Sequence, residues 1–137
     1  MDINNKNKEY KSKSHLFYSC QYHVIFCPKY RRPVLTENIV PRLKEIFYEI
    51  ALKYDFEIIE MEVMKEHVHL LIDCNPRFGI MECVTKLKGI SSKTLREEFP
   101  TLKSKLPCLW TRSAFISTVG SVSLETVKKY IENQKDV

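Results

Sequence analysis

Apolar positions along the chain change period several times, and each change predicts a new element. Residues 16–27, LFYSCQYHVIFC, are aromatic and β-branched and predict a strand ended by Pro28. Over 37–54 the period lengthens. Ile39, Leu43, Ile46, Phe47, Ile50 and Tyr54 recur at three- and four-residue steps and form one apolar stripe, so a helix is predicted. Thr36 is its expected N-cap, and Pro41 is tolerable in a first turn. Residues 56–64, FEIIEMEVM, alternate in part and predict a second strand. A third, near 67–74, pairs with it as a hairpin through Lys65 and Glu66. After the turn Asn75-Pro76-Arg77, residues 78–98 predict a second helix with Ile80, Val84, Leu87 and Leu95 inward. Gly89 and Ser91-Ser92 weaken its middle, where a kink or break is expected. Residues 100–107 are expected to be a connector and 109–118, LWTRSAFIST, a fourth strand. Gly120 ends that strand, and Ser121 or Ser123 caps a last helix over 123–134.

The resulting order, β-α-β-β-α-β-α, is the split pattern of a ferredoxin-like α+β fold. It places helices on an antiparallel sheet and adds a C-terminal helix that bears a tyrosine. Residues 1–14 are polar and charged and are expected to form a flexible basic tail, leaving 15–137 as a single domain.

Composition narrows the class. At 137 residues with 44% apolar content the chain can bury a working core without disulfides. It has no run of about 18 apolar residues, so no membrane span or secretion signal is expected. The cysteines, Cys20, Cys27, Cys74, Cys83 and Cys108, are odd in number and never spaced C-x-x-C. A disulfide framework or zinc knuckle is disfavoured, and a reducing, cytoplasmic compartment is the expectation. The net charge of +5 is modest but grouped: Lys29, Arg31 and Arg32; then Lys86, Lys88, Lys93 and Arg96; then Lys103, Lys105 and Arg112. Such grouping suits a phosphate backbone, although charge alone equally describes a solvated surface. Tyr30 lies between cations, and stacking on an unpaired base is a patch-level expectation for it if the partner is single-stranded nucleic acid.

The candidate chemistry lies in two places. In EHVHLLI, residues 66–72, His67 and His69 fall on one face of a strand, and Val68, Leu70 and Ile72 fall on the other. Two adjacent imidazoles suit a metal ion, but a lone pair of histidines on a sheet is a weak signal without a third ligand. In the last helix, Tyr130 and Gln134 are four apart and share a face. The amide oxygen of Gln134 suits a metal and the phenol of Tyr130 suits a phosphate; a packed tyrosine with a solvated glutamine beyond it is the bland alternative. Imidazole alone suits zinc or manganese, whereas oxygen and phosphate suit magnesium or manganese. A phenol with a pKa near 10 needs help to deprotonate, for which Lys128 and Lys129 are candidates. His23 is expected to be structural or solvent-paired, and His15 carries no argument.

Four segments in order resemble the small single-tyrosine transposases of the IS200/IS605 type, within the HUH endonuclease superfamily. They are YHVIFCPKYRRPVL (22–35), EHVHLL (66–71), KLKGISSKTLREEFP (86–100) and LWTRSAFISTVGSVSLETVKKYIENQ (109–134). The resemblance implies His67, His69 and Gln134 as metal ligands and Tyr130 as nucleophile. It implies cleavage of single-stranded DNA through a 5′-phosphotyrosine link with a free 3′-hydroxyl, and rejoining by attack of a 3′-hydroxyl on that link. No nucleotide cofactor is needed, and no phosphate-binding glycine loop is seen. It also implies recognition of hairpins near the element ends and a homodimer with joined sheets, in which the tyrosine helix serves either subunit. An unpaired apolar edge strand over 109–119 agrees weakly with a dimer. Two other readings stay open: a domesticated relative that processes repeated palindromes, and a ferredoxin-like module that binds nucleic acid without cutting it.

Overall fold

A computed structural model describes residues 11–13, 16–118 and 124–137. Its elements are β1 (Lys11–Lys13), β2 (Leu16–Tyr18), β3 (Gln21–Phe26), a 3₁₀ turn (Lys29–Arg31), α1 (Val40–Tyr54), β4 (Glu57–Met64), β5 (His67–Asp73), α2 (Ile80–Glu98), α3 (Pro100–Lys105), β6 (Phe115–Thr118) and α4 (Leu124–Glu132). The main sheet is antiparallel, in the order β4-β5-β3-β6. Taken from β3 onward, this is the ferredoxin-like order predicted above.

The pleat of β3 and β5 sorts the chain into a core face and a site face. Val24 and Phe26 on β3 pair with Leu70 and Val68 on β5, and all four are fully buried. Leu43, Ile46, Phe47 and Ile50 of α1 close over them, with Val84, Leu87 and Leu95 of α2. These are the stripes the sequence predicted, and Pro41 sits harmlessly in the first turn of α1. Trp110 completes this core. Its ring meets Phe26 edge-on at 4.8 Å, and its indole N–H donates to the hydroxyl of Ser91 at 2.9 Å.

Several expectations are corrected. Strand 16–27 is two strands: the chain turns at Ser19-Cys20, where the Cys20 amide donates to the Asp73 carboxylate. Residues 11–13, assigned to a flexible tail, pair with β2, and Lys11 forms a 2.6 Å ion pair with Glu57. The helix cap is displaced from Thr36 to Ile39, because the Thr36 carbonyl closes a turn ahead of α1. The imperfect alternation of 56–64 has a local cause, a register shift between Ile58 and Glu60 that buries Ile58 and exposes Ile59. α2 runs unbroken through Gly89, since that glycine is exposed and Ser91 turns its hydroxyl inward to Trp110. The connector 100–107 contains a helix: Pro100 stops α2 and starts α3, whose Leu102 is buried. Only Phe115–Thr118 of the fourth strand pairs with β3. Trp110 makes a single bridge to Pro28, and the carbonyls of Thr111 and Ser113 are taken by the Lys88 ammonium instead of a neighbouring strand. The proposed break at Gly120 and caps at Ser121 or Ser123 lie outside the described residues.

Candidate active site

The site face carries His67 and His69 side by side on β5. The two-residue turn at Lys65-Glu66 fixes their register, pairing Met64 with His67 and Glu62 with His69. The Glu66 carboxylate accepts from His67 Nδ1 at 2.9 Å. An ionised carboxylate has no proton to give, so Nδ1 carries the hydrogen of a neutral His67 and Nε2 keeps its lone pair. His69 is held below the ordinary histidine range, first by burial and then by the neighbouring His23. A neutral imidazole is the form that ligates a metal.

His23 was expected to be structural or solvent-paired. Its Nδ1 lies 3.1 Å from His69 Nε2, so it belongs to the site. The sequence holds a usable signal: His23 alternates with Tyr22 and Val24, which places it on the site face of β3, in register with Leu71 and Ser117. The Ser117 hydroxyl is buried and has no hydrogen-bond partner among the described residues. An orphaned buried hydroxyl in register with the His23 imidazole marks a place where a polar group can be received.

Across the sheet, His69 pairs with Ile25 and Ile25 with Phe115 on β6. The Phe115 ring lies 5.5 Å from that of Tyr130. Two strand spacings, about 10 Å, therefore separate the histidine row from the strand on which the tyrosine rests. Tyr130 and Gln134 share a face, as their spacing predicted, and Ser113 joins them. Its hydroxyl donates to Gln134 Oε1 at 2.7 Å and lies 3.0 Å from the phenol oxygen. With its only hydrogen on Gln134, Ser113 accepts from Tyr130, giving a directed chain from phenol to serine to amide oxygen. Gln134 lies just past the end of α4 yet is only 7% exposed, because this bond anchors it. Burial raises the phenol pKa above its ordinary value, and a Ser113 hydroxyl turned to donate to the phenolate opposes the rise. Nothing in the sequence near Ser113 marks it, since its partners lie 17 and 21 residues away.

The described contacts join His67 and His69 by face, and Tyr130 and Gln134 through Ser113. They do not join the two pairs. Among the described residues no three His, Cys, Asp or Glu side chains converge on a metal. Among the other side chains described, the Gln134 amide oxygen is of a type that can ligate a metal. Two neutral imidazoles and an amide oxygen fit a divalent ion that also binds phosphate.

The cationic candidates divide. Lys29, Tyr30, Arg31 and Arg32 form the turn after β3, beside the end of α4, where the Arg31 guanidinium donates to the Ile131 carbonyl at 3.4 Å. Tyr30 and Arg31 both have left-handed backbones, with φ of 58° and 49°. Lys86, Lys93 and Arg96 lie on α2, which covers the opposite face of the sheet. Lys86 sits over the Tyr54 ring, Lys93 is exposed, and Arg96 donates to the Leu106 carbonyl at 3.4 Å. Lys88 is corrected as a phosphate contact. Its ammonium is turned inward onto the carbonyls of Thr111 and Ser113, where it holds the segment that presents Ser113.

Burial lowers the Lys88 pKa to about 8. Between that value and the ordinary lysine value of about 10.5 the unfolded chain binds more protons at this residue than the native state does. Its contribution therefore makes stability rise with pH across that window. Lys88→Met should flatten the rise between pH 8 and 10, as read from urea unfolding of both proteins at each pH.

Comparison with known proteins agrees along nearly the whole chain. Residues 16–134 match the family described as IS200-like transposases. The ISDra2 transposase TnpA of Deinococcus radiodurans is 41% identical over 121 residues, 87% of this chain and 86% of that protein. The transposase for insertion sequence element IS200 of Salmonella typhimurium is 31% identical over 126 residues, 90% of this chain and 82% of its own length. A crystal structure of a D. radiodurans protein assigned as a transposase superposes with a TM-score of 0.82 at 34% identity, covering 93% of this chain and 98% of that one. A REP-associated tyrosine transposase, solved bound to a REP hairpin, shares the fold with a TM-score of 0.56 at 14% identity, covering 89% of this chain and 69% of that one. No helix among the described residues is long and apolar enough to cross a membrane. The sequence segments, the sheet order and these matches agree, and the chain belongs to the family of IS200-like transposases.

Proposed function

We propose that this transposase cuts and rejoins single-stranded DNA at element ends through Tyr130, with His67, His69 and Gln134 holding a divalent ion, magnesium or manganese. The observation that supports the proposal is the Ser113 bridge, which ties the Tyr130 phenol and the Gln134 amide oxygen into one hydrogen-bonded group. The phenol oxygen attacks the scissile phosphorus, and the bond to the 3′ oxygen breaks. The 3′ oxygen leaves as a hydroxyl and the 5′ phosphate stays on Tyr130. A 3′-hydroxyl then attacks that phosphotyrosine and frees the phenol, so one ester replaces another with no input of ATP. The ion, when bound, polarises the phosphate and stabilises the charge that develops on it. His67, oriented by Glu66, would offer Nε2, His69 would offer the nitrogen it shares with His23, and Gln134 would offer its amide oxygen. A Ser113 hydroxyl released from Gln134 would hold the phenol oxygen as its proton departs.

Hairpin DNA is the proposed substrate form, as in the REP-associated relative. Lys29, Arg31 and Arg32 contact the strand near the tyrosine helix, and Lys86, Lys93 and Arg96 contact phosphates elsewhere. The outer edge of β6 joins a second copy in a homodimer, which lets α4 serve either subunit. The test is a denaturing gel with labelled single-stranded DNA from the flanks of the gene, in magnesium or manganese. A covalent protein–DNA adduct that disappears with EDTA is expected. Intact hairpin binding with no adduct in either metal would overturn the cleavage reading.

A further inference from the structure

The turn after β3 is built against its own backbone preference. Tyr30 and Arg31 are consecutive non-glycine residues in left-handed conformation, a geometry that disfavours an aromatic side chain most. Backbone bonds hold it there. The amide of Lys29 donates to Leu109, that of Tyr30 to Val137 and that of Arg31 to Pro28, each at 2.8 Å. The Tyr30 ring gains little burial in return: it remains 41% exposed, with the Lys29 ammonium 5.1 Å from its centroid. Strain that persists at an exposed residue points to use of that side chain.

Two open hollows meet at this ring. One, of about 530 Å³, runs past Arg31 and Arg32 to Lys135 and Asp136; the other, of about 320 Å³, runs past Arg32 and Val34 to Lys105. Both share Tyr30, Arg32 and Pro33. Four cations against one carboxylate line a track with an exposed aromatic ring midway, the combination that binds single-stranded nucleic acid by phosphate contact and base stacking. A compact anion would use one cluster of donors, whereas these cations lie on either side of the ring. The track also abuts the catalytic helix, through Tyr30 to Val137 and Arg31 to Ile131.

We propose that Tyr30 is the stacking platform of a subsite for one unpaired nucleotide of single-stranded DNA, with Arg32 on its phosphate, next to the end of the tyrosine helix. The proposal rests on the DNA-cleaving reading but its test does not need cleavage. Affinity for fluorescein-labelled oligothymidylate is measured by anisotropy in EDTA, in a Tyr130→Phe background. Tyr30→Gly relieves the left-handed strain, so its melting temperature should hold or rise while affinity falls about fivefold or more. Tyr30→Trp should bind as the parent does, and its added indole emission should be quenched at saturation. Arg32→Ala should lower the salt slope by about 0.7, the share of one phosphate on a single strand. Unchanged affinity in Tyr30→Gly, an unquenched indole at saturation or an unchanged salt slope would each overturn the subsite. If Tyr30→Gly unfolds, the indole and the salt slope still decide. Loss of adduct in the parent with this binding intact would strike the cleavage reading alone.

Discussion

Tyr130→Phe is expected to remove the covalent DNA adduct completely while leaving the fold and hairpin binding nearly untouched. The substitution deletes one oxygen and keeps the ring, so the contact with Phe115 at 5.5 Å remains. The Ser113 hydroxyl still donates to Gln134, and no buried donor is orphaned. The structural cost is one partly exposed hydrogen bond, about 1 kcal/mol. The chemical cost is the whole proposed reaction, because the oxygen removed is the proposed nucleophile and the neighbouring Ser113 hydroxyl already donates to Gln134. A denaturing gel reads the adduct, and a native shift with hairpin DNA reads binding. An adduct that survives in the Phe variant would assign the nucleophile elsewhere. The same site predicts a pH profile. Burial holds the phenol above its ordinary pKa, so the phenolate fraction grows about tenfold per unit as pH rises toward that value. Adduct formation by the parent should therefore climb from pH 7 to 9 in single-turnover measurements; a flat profile would show that loss of the phenol proton does not limit the step.

The parts of this molecule written in local periodicity were legible in the sequence. The stripe on α1, the alternation on β5 and the two-residue turn at Lys65-Glu66 each depend on neighbours a few residues away, and each was found where expected. What escaped depends on distant partners. Residues 111–114 have strand composition, but Lys88 takes two of their carbonyls from across the core. Lys88 itself was grouped with surface cations, because composition cannot distinguish an ammonium facing water from one facing carbonyls. Residues 100–107 were read as a connector, although a proline such as Pro100 can also start a helix.

The candidate site divides along the same line. His67, His69, Tyr130 and Gln134 were named from spacing and resemblance, since strand and helix periods fix which side chains share a face. Ser113 and His23 were not, because their roles arise only when β6 and β3 bring them beside residues far along the chain. Both hold a reactive group in a paired, quiet state: Ser113 occupies the Gln134 oxygen and His23 occupies His69 Nε2. An ion drawn to His69 Nε2 would displace its contact with His23, whereas the Gln134 oxygen, with two lone pairs, can keep its bond to Ser113.

That arrangement makes a second large effect measurable without any DNA. His67→Ala and His69→Ala should each weaken manganese binding about a hundredfold, whereas His23→Ala should leave it equal or tighter. Removing either ligand deletes a third of the proposed protein set. Removing His23 instead deletes a competitor for His69 Nε2, because a nitrogen lone pair serves a hydrogen bond or an ion but not both. Manganese that binds the native state alone stabilises it by about 2.7 kcal/mol at a hundred times its dissociation constant. For a domain of this size that is a rise in melting temperature on the order of 10 °C. At that manganese concentration the parent and His23→Ala should show the full rise, and His67→Ala and His69→Ala little. The apo melting temperatures separate folding from binding, since β5 keeps its core residues Val68, Leu70 and Ile72 in every variant. A His67→Ala protein that still rises as far as the parent would remove His67 from the ligand set. A His23→Ala protein that loses the rise would make His23 a ligand and not a competitor.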